Sequence, residues 1–244
     1  PSIVLYTMGK GALLWEKFGH AAICVEYGPG SRRSRCYNYG TTDFTRPVSV
    51  GWGFLRGQGE FWVGVDTPEH MIARYKSFDR TLWRQVIPLP DDKARWLEVA
   101  LATNALPENR FYTYHHYYDN CTTRIRDLLD QATDGALRRG SDSVPGPSFR
   151  EFSRQGFSQD DWLLVFSDFL LGRGADVEPD LWQAMFLPDY LREVVHERLG
   201  AEPEVIGTDK VKAIFFMLAP GEKPPSPEGH KVRVTFRDGR QVAG

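Results

Sequence analysis

The sequence holds no His-Glu-x-x-His pair, no Cys-x-x-Cys, no phosphate-cradling glycine loop and no Gly-x-Ser-x-Gly elbow. These absences set aside the usual signatures of zinc peptidases, dithiol sites, P-loop nucleotide chemistry and elbow-type serine hydrolases. The His and Cys residues lack metal-ligand spacing, so no metal or other cofactor is expected. No apolar run approaches the roughly 18 residues needed to span a bilayer. The longest candidate, Trp162 to Leu171, is broken by Ser167 and Asp168. Charge of either sign is not in excess: the formal net charge is −2, so no global field favours nucleic acid. Arg32, Arg33 and Arg35 form only a short basic cluster, read as a solvated turn. Cysteine is scarce, with Cys24, Cys36 and Cys121 alone, and an odd count leaves one thiol free if two pair. The first residue is Pro1 rather than Met, which a removed signal peptide or a trimmed chain would explain. No internal repeat is visible.

What is present suffices for a large core. The chain has 244 residues, 41% hydrophobic and 25% charged, enough for one large domain or a domain with an appendage. Aromatic residues reach 13%, which fits a large core, a wide apolar pocket, or both. Ser2 to Tyr6 reads as a short edge strand. Ala21 to Tyr27 alternates, with Ala21, Ile23, Val25 and Tyr27 on an apolar face and His20, Ala22, Cys24 and Glu26 on a smaller, more polar one. Gly28-Pro29-Gly30-Ser31 is a turn, and Arg35 to Gly40 is the return strand of a hairpin. Gly51 to Gly64 carries five glycines among Trp52, Phe54, Phe61 and Trp62; it suits a loop that covers a substrate or a glycine-rich sheet corner.

Thr67-Pro68-Glu69 starts a helix, Arg80 to Leu89 reads as a strand, and Asp91 opens a helix that buries Trp96, Leu97, Ala100 and Leu101. A third helix runs from Asn120 to Leu129, with Ile125, Leu128 and Leu129 as its apolar stripe. Gly135 to Phe149 is a Gly/Ser/Pro-rich break. Glu151 to Leu199 reads as mostly helical, followed by strands over Lys212 to Leu218 and Lys231 to Phe236 around a Pro-rich linker, Pro220 to Pro227. The expected organisation is a core over residues 1–134, a helical extension packed on it over 135–200, and strands with a linker over 201–244.

Tyr117-Tyr118-Asp119-Asn120-Cys121-Thr122-Thr123-Arg124 places a cysteine where that third helix begins. Asp119 or Asn120 can cap the helix. A thiolate in the first turn faces the positive end of the macrodipole, and a nearby imidazole lowers its pKa further. The Cys121 backbone N–H could also help to form an oxyanion hole. A buried, inert cysteine is the plainer reading, but the polar flanks oppose it. Asn120-Cys121-Thr122 formally matches a glycosylation sequon; a glycan there would block the thiol, so the match is read as accidental.

His20 is the candidate base. It sits on the small-residue face of its strand, after Gly19, where another backbone or a ligand can approach. His115 and His116 are rival bases, close to Cys121 in sequence. If Cys24 lies opposite Cys36 in the hairpin, Asn38 becomes the diagonal neighbour of His20 on the same face, able to orient the imidazole as Asn does in Cys-His-Asn sites; Tyr39 and Asp43 are alternatives. The same register brings Cys24 and Cys36 within disulfide reach, although two reduced, packed thiols would also fit. A bridge would mean an oxidising compartment.

Four blocks then resemble a known family: Phe18-Gly19-His20-Ala21-Ala22, Tyr37-Asn38-Tyr39-Gly40-Thr41-Thr42-Asp43-Phe44, Asn109-Arg110-Phe111-Tyr112-Thr113-Tyr114, and Asp119-Asn120-Cys121-Thr122-Thr123-Arg124-Ile125-Arg126-Asp127. In this order they are similar to the periplasmic catalytic domain of the Lnb-type lipoprotein N-acyltransferases. The resemblance, over roughly residues 2–200, implies an α+β, circularly permuted papain-like core with histidine ahead of cysteine, as in the lecithin–retinol acyltransferase group. It implies an antiparallel sheet, a nucleophile-bearing helix, and Cys121 and His20 as catalytic cysteine and histidine. Asn38 is the candidate third member; Tyr39, Asp43, Trp52, Phe54, Asn120 and Arg124 are candidate substrate-binding residues around them.

The implied activity is cysteine-dependent acyl transfer from a lipid or lipoprotein ester through an acyl-thioester, to an amine such as a lipoprotein N-terminus or to water. Phospholipid or lipoprotein is then the partner, nucleic acid is not, and the location is periplasmic or facing the cell envelope. Membrane-bound members carry transmembrane helices after this domain, and this sequence has none, so a cut chain or a soluble member with another acceptor is expected. A papain-like cell-wall peptidase or amidase and a non-catalytic envelope-binding domain are the other readings. The apolar segment Trp162 to Leu171 is read as a core helix, or else as an acyl-chain pocket or membrane-surface contact.

Overall fold

In a computed structural model, the described residues are 1–11, 16–43, 59–144, 146–157, 171–206, 233–235 and 241–243. They form a mixed structure with a seven-stranded, open, fully antiparallel sheet and six helices. The strands of that sheet are β1 (Ser2–Met8), β2 (His20–Glu26), β3 (Arg35–Thr41), β4 (Gly59–Asp66), β5 (Leu82–Ile87), β6 (Phe111–Tyr114) and β7 (Glu204–Ile206), in the order β6-β4-β3-β2-β1-β5-β7. The helices are α1 (Pro68–Ser77), α2 (Asp91–Asn104), α3 (Cys121–Ala132), α4 (Phe149–Phe157), α5 (Leu181–Ala184) and α6 (Pro188–Leu199). A small separate hairpin pairs β8 (Arg233–Thr235) with β9 (Gln241–Ala243).

Both faces of the central strands are buried. On one face Leu5, Ile23, Val25, Tyr37 and Tyr39 pack with Leu97 and Leu101 of α2, Ile125 and Leu129 of α3, and Leu191 and Val195 of α6. On the other, Val4, Tyr6, Met8, Ala22, Cys24 and Cys36 pack with Met71 of α1. This is why β1 reads as a continuous apolar run. It is an interior strand, hydrogen-bonded to β2 and β5, and not the edge strand expected from its short pattern. β7, from the C-terminal segment, closes that side of the sheet by pairing with β5.

Local chemistry accounts for the helix ends. Thr67 caps α1, its hydroxyl accepting from the His70 N–H at 3.3 Å, with Pro68 in the first turn. Gly200 ends α6 in the left-handed region at φ +68°. α2 buries Ala94, Leu97 and Leu101, while Trp96 stays 42% exposed, so its buried face is rotated from the one expected. The stripe expected on α3 faces the core, with Leu128 only partly buried. The described residues of Glu151 to Leu199 are mostly helical, as expected: α4, α5 and α6, with a 3-10 turn, Arg173–Asp176, ahead of α5. The second half of Gly51 to Gly64 is strand β4, not a loop. The first half, the expected strand at 212–218, the linker at 220–227 and residues 162–170 of the apolar segment lie outside the described residues.

The extension is joined to the core by a buried cation. Arg126 of α3 donates to the Trp182 carbonyl at 2.8 Å, and its guanidinium lies 3.9 Å from the centre of the Trp182 ring.

In the hairpin, Cys24 stands opposite Cys36 and the two are disulfide-bonded; Cys121 is the free cysteine. Thiol titration of unreduced, denatured protein should therefore find one thiol, and three after reduction. The bridge closes a short loop, so replacing both cysteines with Ser should cost about 2–3 kcal/mol in the chain-entropy picture, measured by urea denaturation. Three titratable thiols before reduction would contradict the pairing.

Candidate active site

The site begins with a helix cap. Asn120 has an extended backbone and its side-chain oxygen accepts from the Thr122 and Thr123 N–H groups at 2.8 and 2.9 Å. Thr123 Oγ1 accepts in return from the Asn120 N–H at 2.8 Å, completing a capping box. The Asn120 amide nitrogen donates to the His116 and Phe186 carbonyls at 2.7 and 3.0 Å. Cys121 is thus fixed as the first residue of α3, 8% exposed.

His20 opens β2 directly across from Met8 of β1. Gly19 makes this entry with φ +81°, and a Cβ there would stand 2.7 Å from the Met8 carbonyl oxygen, so only glycine fits. The His20 ring stacks on Tyr75 of α1, 6.0 Å between centres. Its Nε2 lies 3.4 Å from Asn38 Oδ1. An amide oxygen only accepts, so Nε2 donates to it, and Nδ1 is the ring nitrogen left for the thiol.

The electrostatics of Cys121 reflect these neighbours. Burial pushes the thiol up, but the charge and hydrogen bond of His20, the Ala21 N–H and the Thr122 hydroxyl outweigh it and bring it down to about 7. His20, and not His115 or His116, supplies the imidazole. His115 Nδ1 accepts from the Tyr117 and Tyr118 N–H groups at 3.3 and 3.4 Å, and burial lowers its pKa. His116 lines the cavity described next.

Cys121, His20 and Asn38 all border one cavity of about 660 Å³. Its walls are largely apolar and aromatic. Met71, Tyr75 and Phe78 come from α1 and its end, Phe18 and Phe61 from the sheet side, and Phe157, Leu171, Phe186 and Pro188 from the extension. Val65 and Phe78, 48% and 57% exposed, mark its mouth. Among the described residues no group of three or more His, Cys, Asp or Glu is placed to hold a metal.

The expected substrate-binding residues divide. Asn120 borders the cavity, but all its amide hydrogen-bonding groups serve the chain. Tyr39 is fully buried on the α2/α3 face, its hydroxyl accepting from Asn104 at 2.9 Å, and does not line the cavity. Arg124 does not either: it grips Asp119 with two bonds of 2.6 and 2.8 Å and covers the Tyr112 ring. Asp43 is exposed and outside the lining. Trp52 and Phe54 lie outside the described residues. Unforeseen were Tyr75 under the imidazole and Thr122 beside the thiol. The wall from the extension was expected in part: Leu171 ends the apolar segment read alternatively as an acyl-chain pocket, and α4 adds Phe157, with Phe149 and Phe152 buried on the same side.

Residues 1–155 match the family model of the Lnb N-terminal periplasmic domain. No curated protein and no solved structure matches the chain. The family description places the domain in the periplasm, an oxidising compartment consistent with the Cys24–Cys36 bridge. No helix among the described residues is long and apolar enough to cross a membrane.

Two outcomes follow for this site. The iodoacetamide alkylation rate of Cys121 should rise with pH through a midpoint of about 7, because thiolate accumulates above the lowered pKa. In His20→Ala the midpoint should move to higher pH, since burial then acts without the opposing imidazole; an unmoved midpoint would refute the pairing. Asn120→Ala should cost about 1–2 kcal/mol of stability through loss of the cap, read as a lower urea midpoint; an unchanged midpoint would show that the cap is not holding α3.

Proposed function

The chain belongs to the family of the Lnb N-terminal periplasmic domain, and we propose that it is a cysteine-dependent acyltransferase. It takes the acyl group from a lipid or lipoprotein ester and passes it to an amine, such as a lipoprotein N-terminus, or to water. The observation that carries this reading is a thiol brought down to about 7 by His20 at the start of a helix, on the wall of a largely apolar cavity. We read the fold as permuted papain-like. Support comes from the chain order His20 before Cys121, the helix N-terminus set against an antiparallel sheet, and an amide on the neighbouring strand that holds the imidazole.

His20 Nδ1 takes the Cys121 proton, and the sulfur attacks the ester carbonyl carbon. The carbonyl electron pair moves onto oxygen and then returns, breaking the bond to the alkoxide. The imidazolium gives its proton to that leaving oxygen. The acyl group now rides on Cys121 as a thioester. An amine attacks the thioester carbon, gives a proton to His20, and leaves as an amide while the thiol is restored; water in its place yields a fatty acid. Asn38 keeps Nε2 protonated and the ring in its plane through both halves. The low polarity of the walls suits an acyl chain and keeps water from the thioester.

Cys121→Ser and Cys121→Ala should abolish release of fatty acid from phospholipid vesicles and acyl transfer to a lipopeptide amine, with circular dichroism unchanged. Turnover surviving in either variant would refute a covalent thioester. Peptidoglycan fragments, assayed in parallel, should remain intact; their cleavage without fatty-acid release would replace the acyltransferase reading with a cell-wall amidase.

A further inference from the structure

The cavity sorts its lining by segment. Among the described residues, four carboxylate or guanidinium side chains border it, Glu16, Asp66, Arg74 and Arg80, and all belong to the core. The described part of the extension brings Ser153, Phe157, Leu171, Phe186 and Pro188, and no charge. Exposure divides the same way. Val65 and Phe78 stand open at the mouth, while Ser153, Phe157 and Phe186 are buried. The thiol and imidazole sit against this apolar wall. Asn120, next to Cys121, donates to the Phe186 carbonyl at 3.0 Å. A Cβ built on Gly19, next to His20, would lie 3.5 Å from Pro188 Cγ.

The wall is preformed. The Phe186 ring meets Tyr117 and Phe149 edge-on, 5.3 and 5.6 Å between centres, and Phe157 meets Phe18 the same way at 5.2 Å. Phe18 fits a notch at Gly156, where a Cβ would collide with its ring. Rings packed on rings yield little to a guest. The hydroxyls here serve the chain. Ser153 Oγ donates to the Phe149 carbonyl at 2.9 Å, so Tyr117 Oη is the donor to Ser153 Oγ, also at 2.9 Å. The Phe186 N–H goes to the Gln183 carbonyl at 3.0 Å, and the Leu171 carbonyl accepts from Arg150 at 3.0 Å. A peptide guest carries an N–H and a carbonyl at each residue, and these need partners once buried. A hydrocarbon chain needs none.

We propose that the extension wall is the acyl-chain subsite, and that Phe157 and Phe186 set the chain length the enzyme accepts. The inference rests on the acyl-thioester reading above. With the ester carbonyl carbon at the Cys121 sulfur, the fatty tail runs toward Phe157 and Phe186. The alcohol portion points to the Val65 and Phe78 mouth, on the charged side. The alcohol then leaves, and the amine enters, by that mouth while the tail stays bound. Each further methylene gains by leaving water until the tail meets the two rings; a longer tail overlaps them.

The test is the length profile of acylation, read as the p-nitrophenolate burst on the intact chain with p-nitrophenyl esters from acetate to laurate. Wild type should show an optimum length. In Phe157→Leu and Phe186→Leu the optimum should move to longer tails. The rate on the first ester beyond the wild-type optimum, relative to acetate, should rise roughly tenfold. Leu171→Trp, at a half-buried position where added bulk empties no core, should move the optimum to shorter tails. Phe152→Leu is the control: its ring is buried against Phe186 but does not border the cavity, so its profile should match wild type. A flat profile in wild type, or an unmoved optimum in any of the three wall variants that keeps its fold, overturns the subsite. An equal shift in Phe152→Leu also overturns it, because general loosening would then explain the change. Alkylation of wild-type Cys121 by iodoacetamide without a burst on any ester overturns the acyl-transfer reading itself.

Discussion

One carboxamide holds the candidate site together. Asn120 accepts two hydrogen bonds from the first turn of α3 and donates two, one to the nearby His116 carbonyl and one to the distant Phe186 carbonyl. Through the first pair it sets where α3 starts, and so which residue occupies the positive end of the helix. Through the second it ties that start to the β6 turn and to the extension. If the helix began one residue later, the thiol would lose both the dipole and its approach to His20. The protein commits a buried polar group with every bond satisfied, the condition under which such a group specifies one geometry instead of weakening the core.

The sheet supplies the opposing half. β2 and β3 carry His20 and Asn38 on neighbouring strands, and their register is locked by the disulfide two pairs away. A slip of one residue between the two strands would put these side chains on opposite faces. Stacking on Tyr75 then limits rotation of the imidazole. The imidazole is thus oriented by a strand neighbour, a helix ring and a covalent cross-link, while the thiol is oriented by a cap. Two rigid bodies meet at the Cys121–His20 contact.

Local chemistry made much of this legible. The cap residue ahead of Cys121 and the period-two count that placed Asn38 diagonally from His20 both depend on a few adjacent residues. So does the opposition of Cys24 and Cys36 across a glycine-proline turn. What escaped depends on contacts between distant segments. β1 looks like an edge because nothing in its own residues says that β5 returns to its far side. Trp96 is apolar, yet it faces outward because α2 packs along Ala94, Leu97 and Leu101. Tyr39 and Arg124 flank the motif residues in sequence but point into other contacts, since alternate strand residues face opposite ways and Asp119 captures the guanidinium.

The family match ends at residue 155, while Phe157, Leu171, Phe186 and Pro188 still border the cavity. The chamber is therefore a composite, with the thiol and imidazole on one wall and part of its shape on another that comes from later in the chain. Substitutions on the far wall can lengthen or narrow the space without disturbing the thiol, the imidazole or the cap. Under the proposed acyl-transfer reading, this arrangement separates what is done to a bond from which molecule is admitted.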